Sequence, residues 1–441
     1  MSQFALIDEL LPETVRIAKA SVPLYRDLYE GRMLDNVTRL VLATLPTITK
    51  STIVSAGAAA LSDRVNSDYF QNTSGSTGEF LVLHRSIEEQ RFIHDFFGAI
   101  QASQPPSSAC TLFLGLPSHG SATAIPSSGI VVQHGIVDDR TAENCWAYLT
   151  KGILNKHGLH RINTIAGSAT QLLLLTKYLS SRGLEKSPHT VPHITLTGDW
   201  LSRRVLEYLQ SFWQATLIDR FSCSEFFGGA SSTYPWREFV FDPTTYAEIV
   251  GLNSDSITST GELCVTSLYP FVQRQPLIRY RTGDIFSQSD NGFVFHGRRG
   301  HCLFGPQGEL ALSGRDLYEL LDELEIVERQ SHSLAVDAVD HSVSGKPLVK
   351  GVASYDADRL DLFLKIWTKV DMQWFPKGRK LLQSRIEDGL RRMCRTSISN
   401  LVIEFAKAGS SMVLGYDKAG VIWEYSGDKQ AIGRLVSKWS S

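Results

Sequence analysis

Between Cys110 and Asp219 the chain alternates short apolar runs with segments of helical period. Residues 110–116 (CTLFLGL) read as a buried strand. Residues 161–167 (RINTIAG) lead into 169–179, where Leu172, Leu173, Leu175, Tyr178 and Leu179 suit a helix face. Residues 193–197 (HITLT) are strand-like and stop at Gly198-Asp199. Leu201, Val205, Leu206, Leu209, Phe212 and Trp213 then recur at helical spacing, before 215–219 (ATLID) returns as a strand. Strand and helix in this order predict layered α/β units on a largely parallel sheet.

From Gly261 the pattern changes. GELCVTSL and PLIRYRTGD alternate in the manner of antiparallel strands that end on a polar loop. Past Gly297, Leu334, Val336 and Ala338 alternate, and 348–355 forms a second strand candidate. Residues 379–394 are helix-like, with Leu381, Leu382, Ile386, Leu390 and Met393 on one face, and 401–405 is again a strand. At 441 residues the chain exceeds what one core serves. The fold expected is α/β, with a large N-terminal domain (1–299) of layered sheets and helices and a small α+β C-terminal domain (300–441).

Charge and cysteine usage narrow the class. Lys and Arg total 44 against 46 Asp and Glu, a net charge of −2 that argues against a nucleic-acid binder with a broad basic face. No apolar stretch is long enough to span a bilayer, and the acidic start lacks an export pattern. The six cysteines are scattered without a C-x-x-C, which suits reduced thiols. A cytoplasmic enzyme without nucleic-acid or membrane partners is expected.

Three constellations can carry chemistry. Thr73, Ser74, Gly75, Ser76, Thr77 and Gly78 form a loop whose glycines let backbone N–H groups approach an anion and whose hydroxyls add donors. It lacks the lysine of a Walker loop. Residues 219–225 (DRFSCSE) follow a strand, and a hydroxyl beside a carboxylate at a strand end can hold a phosphate oxygen and a magnesium ion together. In 276–284 (PLIRYRTGD), a carboxylate after a Thr-Gly turn suits a ribose diol. Taken singly, each also reads as an ordinary polar turn.

In this order, the three resemble the adenylate-forming superfamily, specifically its phenylacetate–CoA ligase-like branch. The resemblance runs from 20–29 (ASVPLYRDLY) and 45–50 (LPTITK) through the 73–78 loop, Gly198-Asp199-Trp200, 221–225 and Gly261-Glu262-Leu263. It continues through RYRTGD at 279–284 to Gly297-Arg298. It implies ATP-dependent activation of a carboxylic acid, expected to be aromatic, as an acyl-adenylate, then transfer to CoA. An amine or a carrier-protein thiol is the alternative acceptor, and a catalytically impaired nucleotide-binding homologue is the third reading. Thr73, Ser74, Ser76 and Thr77, with Gly75 and Gly78, would hold the ATP phosphates. Gly198, Asp199 and Phe221 would border adenine. Ser224 would touch the α-phosphate, Glu225 would bind magnesium, and Asp284 with Arg298 would hold the ribose. The resemblance allows a homodimer.

The chain also departs from that branch. Glu79-Phe80 follows the phosphate loop, and 298–302 (RRGHC) replaces the usual hinge. Residues 230–260 contain neither Cys nor His, so no structural zinc is expected. Lys418, after 408–411 (AGSS), is the expected C-terminal catalytic lysine, and Lys429 is the runner-up. His119 and Gly120 fall where relatives line the acyl pocket. Trp200, Trp213 and Trp236 read as core or interface aromatics, and Cys223 has no partner pattern of a nucleophile.

Overall fold

A computed structural model describes residues 3–34, 36–72, 81–102, 110–115, 130–184, 191–198, 200–329, 346–356, 359–407 and 423–425. At its centre lies an eleven-stranded sheet with two halves of different character. Strands Ile130–His134, Cys110–Leu114, Thr164–Ser168, His193–Thr197 and Thr216–Phe221 run side by side and parallel. Beyond them, Ala230–Ser232, Glu238–Phe241, Gly292–Arg298, Tyr280–Ser289, Thr260–Ser267 and Thr245–Val250 continue antiparallel. Thr216–Phe221 is the seam. It pairs parallel on one side and antiparallel on the other.

The parallel half is covered by helices whose starts the sequence specifies. Ser168 and Ser202 cap the helices Ala169–Ser181 and Arg203–Trp213, each accepting from a backbone N–H in the first turn. The first of these is apolar nearly all round, with Leu172 to Leu175 buried, and accordingly sits inside the core. Trp213 donates from its indole to Thr176 Oγ1 at 2.8 Å, tying the two helices together. Trp236 is fully buried and donates to the Leu217 carbonyl at 3.0 Å, so these two tryptophans are core residues. Trp200 packs against Tyr318 instead.

The antiparallel half rests on the N-terminal helices Gln3–Ser21 and Pro23–Leu28, which share its core through Leu11, Val15 and Tyr25. The Tyr25 hydroxyl donates to the Pro276 carbonyl and accepts from the Ile278 N–H, both at 2.9 Å. Those bonds fix the run-in to Tyr280–Ser289. Within that strand the expected Thr-Gly turn is absent. Residues 282–284 instead form a bulge, since Cys264 faces Arg281 and Glu262 faces Ile285. Gly283, at φ +79°, supplies the left-handed residue.

The C-terminal sheet runs in the order Ile398–Lys407, Arg359–Thr368, Val349–Asp356, Trp423–Tyr425, with the helix Pro376–Met393 on it. Its core draws in Leu303, Leu312, Leu317 and Leu321. Two expectations are corrected here. Leu381 is 66% exposed, one position off the stripe formed by Leu382, Ile386 and Leu390. Arg359–Thr368 is a ten-residue strand that sequence reasoning passed over, although Leu360, Leu362, Leu364 and Ile366 alternate inward along it. Residues 334–338 lie outside the described residues. The helix Gly314–Asp322 meets the large sheet's helices: Ser202 Oγ donates to Asp322 Oδ2 at 2.5 Å, and Arg329 pairs with the same buried carboxylate.

Candidate functional site

The site gathers at the seam, where loops leave the carboxyl ends of two neighbouring parallel strands. That edge is where open α/β sheets bind ligands. Gly198 ends His193–Thr197 with φ +88°, and Ser222 follows Thr216–Phe221. A 2.5 Å hydrogen bond between Thr197 Oγ1 and Ser222 Oγ joins the two exits.

Glu225 is held from several sides. The Cys223 thiol donates to its Oε2 at 2.6 Å and the Tyr280 hydroxyl to its Oε1 at 3.2 Å. Burial, reinforced by the Glu225 charge, keeps the Cys223 thiol well above its ordinary pKa, so it stays a protonated donor rather than a nucleophile. Burial likewise raises the Tyr280 phenol. Below the loop, Arg85, a fully buried guanidinium from Val82–Arg85, donates through Nη2 to the carbonyls of Ser224 (3.1 Å) and Glu225 (2.8 Å).

The antiparallel half presents Asp284 at its bulge. Arg298, its register partner on the next strand, meets Asp284 Oδ1 at 3.0 Å and donates to the Thr282 carbonyl at 3.1 Å. The Asp284 charge raises the pKa of Arg298, and Glu225 adds to that effect, so the two carboxylates share one cation's field. Gly283 N–H and Arg281 both bind Glu262, at 3.0 and 2.9 Å, which holds the bulge open. Arg281 also donates to the Gly251 and Leu252 carbonyls.

Arg279, from the same string, faces away from this site. It is wholly buried at φ +51°, paired with Glu248 at 2.6 Å, and donates to the carbonyls of Ala43, Leu45 and Asp255. Its work is structural.

The structure therefore brings together Phe221, Ser224, Glu225, Asp284 and Arg298 around the seam, with Gly198 at the neighbouring strand end. Phe221 packs edge-on against Phe286, with centroids 5.2 Å apart. Thr73, Ser74, Gly75, Ser76, Thr77, Gly78, His119, Gly120, Asp199, Lys418 and Lys429 lie outside the described residues. Sequence reasoning missed Arg85 and Tyr280. The alternation of Leu81, Leu83 and Arg85 on the buried face, against Val82 and His84, was the available signal for the first.

The residues fit a magnesium ion. Glu225 offers a hard carboxylate that accepts from two neutral donors, the Cys223 thiol and the Tyr280 hydroxyl. Among the described residues, no group of three His, Cys, Asp or Glu side chains could cage a metal. One carboxylate completed by phosphate oxygens and water is a usual magnesium arrangement.

This fold is that of the adenylate-forming CoA ligases. A crystal structure of 2-hydroxyisobutyryl-CoA ligase, in the postadenylation state with R3-HIB-AMP, superposes with a TM-score of 0.65 at 13% identity, covering 99% of this chain and 92% of that one. An anthranilate CoA ligase in complex with anthranoyl-AMP gives 0.50 at 12%, over 84% and 67% of the two chains. The O-succinylbenzoate CoA synthetase of Bacillus subtilis, with ATP and magnesium ion, gives 0.50 at 13%, over 77% and 67%. No family model and no curated protein matches the sequence. Among the described residues, no helix is long and apolar enough to cross a membrane.

Proposed function

We propose that this protein is an AMP-forming ligase that activates a carboxylic acid with ATP and passes the acyl group to a thiol, CoA in the leading reading. The observation that carries this is the meeting of Glu225 and the Asp284–Arg298 pair at the sheet seam of this fold. Asp284 would accept from the ribose hydroxyls while Arg298 orients it. Ser224 would donate to the α-phosphate. Glu225 would hold magnesium, which when bound would neutralise charge on the phosphates. Phe221 and Gly198, with Asp199, would border the base, and Thr73 to Gly78 would cradle the outer phosphates. Little covalent help is needed, because positioning and charge neutralisation govern attack of the substrate carboxylate on the α-phosphate.

In this reading, residues 1–299 bind ATP and acid, and 300–441 act as the lid. The separate core around the C-terminal sheet supports that division. His119 and Gly120 would line the acid pocket, for which an aromatic acid is the favoured occupant, in keeping with the phenylacetate–CoA ligase-like branch. Lys418 would enter for adenylation only, so Lys418→Ala should lose acyl-adenylate formation yet convert supplied acyl-adenylate, whereas Lys429→Ala should leave both reactions intact. The reverse pattern transfers the role to Lys429.

The hinge string 298–302 favours one second reading, an acceptor other than CoA. Mass analysis of products from an acid panel, with and without CoA, separates the two. Acyl-CoA that requires ATP supports the first, and ATP-dependent adenylate that CoA leaves unconsumed supports the second.

A further inference from the structure

Arg85 is an expensive residue to keep where it is. Its side chain is wholly buried, and burial pulls its pKa down against the opposing charges of Glu89 and Glu225. Nη2 donates to the Ser224 and Glu225 carbonyls, while Nε and Nη1 have no hydrogen-bond partner among the described residues. The guanidinium also lies over the Phe227 ring, 4.5 Å from its centroid. A buried cation with two unspent donors costs stability, and a hydrophobic side chain of similar length would fill the space at less cost. Such a feature calls for a reason beyond packing.

The elements around it supply one. Arg85 ends Val82–Arg85, the strand that follows the 73–78 loop and pairs with Tyr69–Asn72 before it. The base of this hairpin is pinned elsewhere: the Glu89 carboxylate accepts from the backbone N–H of Ser86, Gln273 and Arg274, and His84 N–H donates to Gln275 Oε1 at 3.0 Å. The hairpin is thus tied to the segment preceding Tyr280, whose hydroxyl reaches the Glu225 side chain. Arg85 closes the circuit from the other side, gripping the Glu225 main chain.

We infer that Arg85 is a positioning residue for magnesium-dependent nucleotide binding, fixing the Ser224-Glu225 backbone relative to the strand that carries the phosphate loop. This rests on the ligase reading above. By holding both carbonyls, Arg85 sets where the Glu225 carboxylate points without itself touching the metal or nucleotide. Losing the grip should weaken the magnesium requirement's fit rather than the fold.

The test is a magnesium titration of ATP binding, by calorimetry, on the parent, Arg85→Met and Arg85→Lys, with thermal unfolding of each. Arg85→Met is expected to unfold within a few degrees of the parent, yet to raise the half-saturating magnesium concentration about tenfold, the scale of one charge-assisted hydrogen bond. Arg85→Lys, which keeps a donor, should recover most of that shift. The inference is overturned if folded Arg85→Met shows the parent's magnesium dependence. It is equally overturned if Arg85→Met does not fold, because the residue would then serve the fold rather than the Ser224-Glu225 backbone at the site. A parent protein that binds no ATP at any magnesium concentration would instead remove the ligase reading, and this inference with it.

Discussion

The two halves of the central sheet bring their carboxylates to the site by different means. Asp284 is placed by strand register: its partner Arg298 lies directly across the ladder, next to the bulge at Gly283. Glu225 sits on a loop with no ladder of its own, and its position depends on Cys223 beside it and on Arg85 and Tyr280 from remote strands. A site residue on a strand inherits rigidity from hydrogen bonds already made. One on a loop must have that rigidity supplied by side chains.

The sharpest way to break this comparison is to attack the antiparallel half's own framework. Arg279→Ala strips a wholly buried pair and three carbonyl contacts, and should cost about 3–5 kcal/mol in denaturant unfolding. Arg298→Ala removes a partly exposed side chain but leaves the buried Asp284 carboxylate without its cation, and should cost less, about 1–3 kcal/mol. Equal losses would mean that Arg279 and Arg298 share one role. Next in size, Asp284→Ala should weaken ATP binding by about 1.5–3 kcal/mol by calorimetry, with folding intact. Unchanged affinity would remove Asp284 from the ribose.

The smallest effects lie in pH dependence, and the halves should differ in sign. His296, on Gly292–Arg298, is held neutral by burial and nearby arginines, its pKa pulled down to about 4. Its unfolded form takes a proton that the folded form refuses, so it costs stability as pH falls from about 6.5 towards 4. Asp219, at the seam strand, is pushed up to about 6 by burial. There the folded form keeps a proton that the unfolded form releases, so it costs stability as pH rises from about 4 to 6. His296→Asn should flatten the loss on acidification and Asp219→Asn should steepen it, each by about 1–2 kcal/mol and no more than the roughly 3 kcal/mol that the full shifts allow. Thermal melts across pH 4 to 7 read both slopes, and slopes that move together would contradict the assignment.

Legibility follows the same division. The parallel strands and their helices were visible because the apolar runs match strand length and the apolar residues of 169–179 and 201–213 recur at helical spacing. RYRTGD drew attention as a string, but its spacing could not show that Arg279 turns inward to Glu248 while Asp284 turns towards Arg298. That split arises from a positive φ at Arg279 and a bulge at Gly283, both fixed by residues far away in sequence. Arg85 drew no notice, because the carbonyls that justify burying it come from Ser224 and Glu225, far away in sequence.

The central claim is that the seam activates a carboxylic acid with ATP, and ATP–pyrophosphate exchange with a panel of acids tests it most directly. The parent should exchange only when a suitable acid and magnesium are present. Glu225→Gln, still folded, should exchange at least about a hundredfold more slowly, the scale of losing one preorganised charge interaction at a reacting centre. Acid-independent exchange, no exchange with any acid, or an unchanged rate in Glu225→Gln would contradict the account.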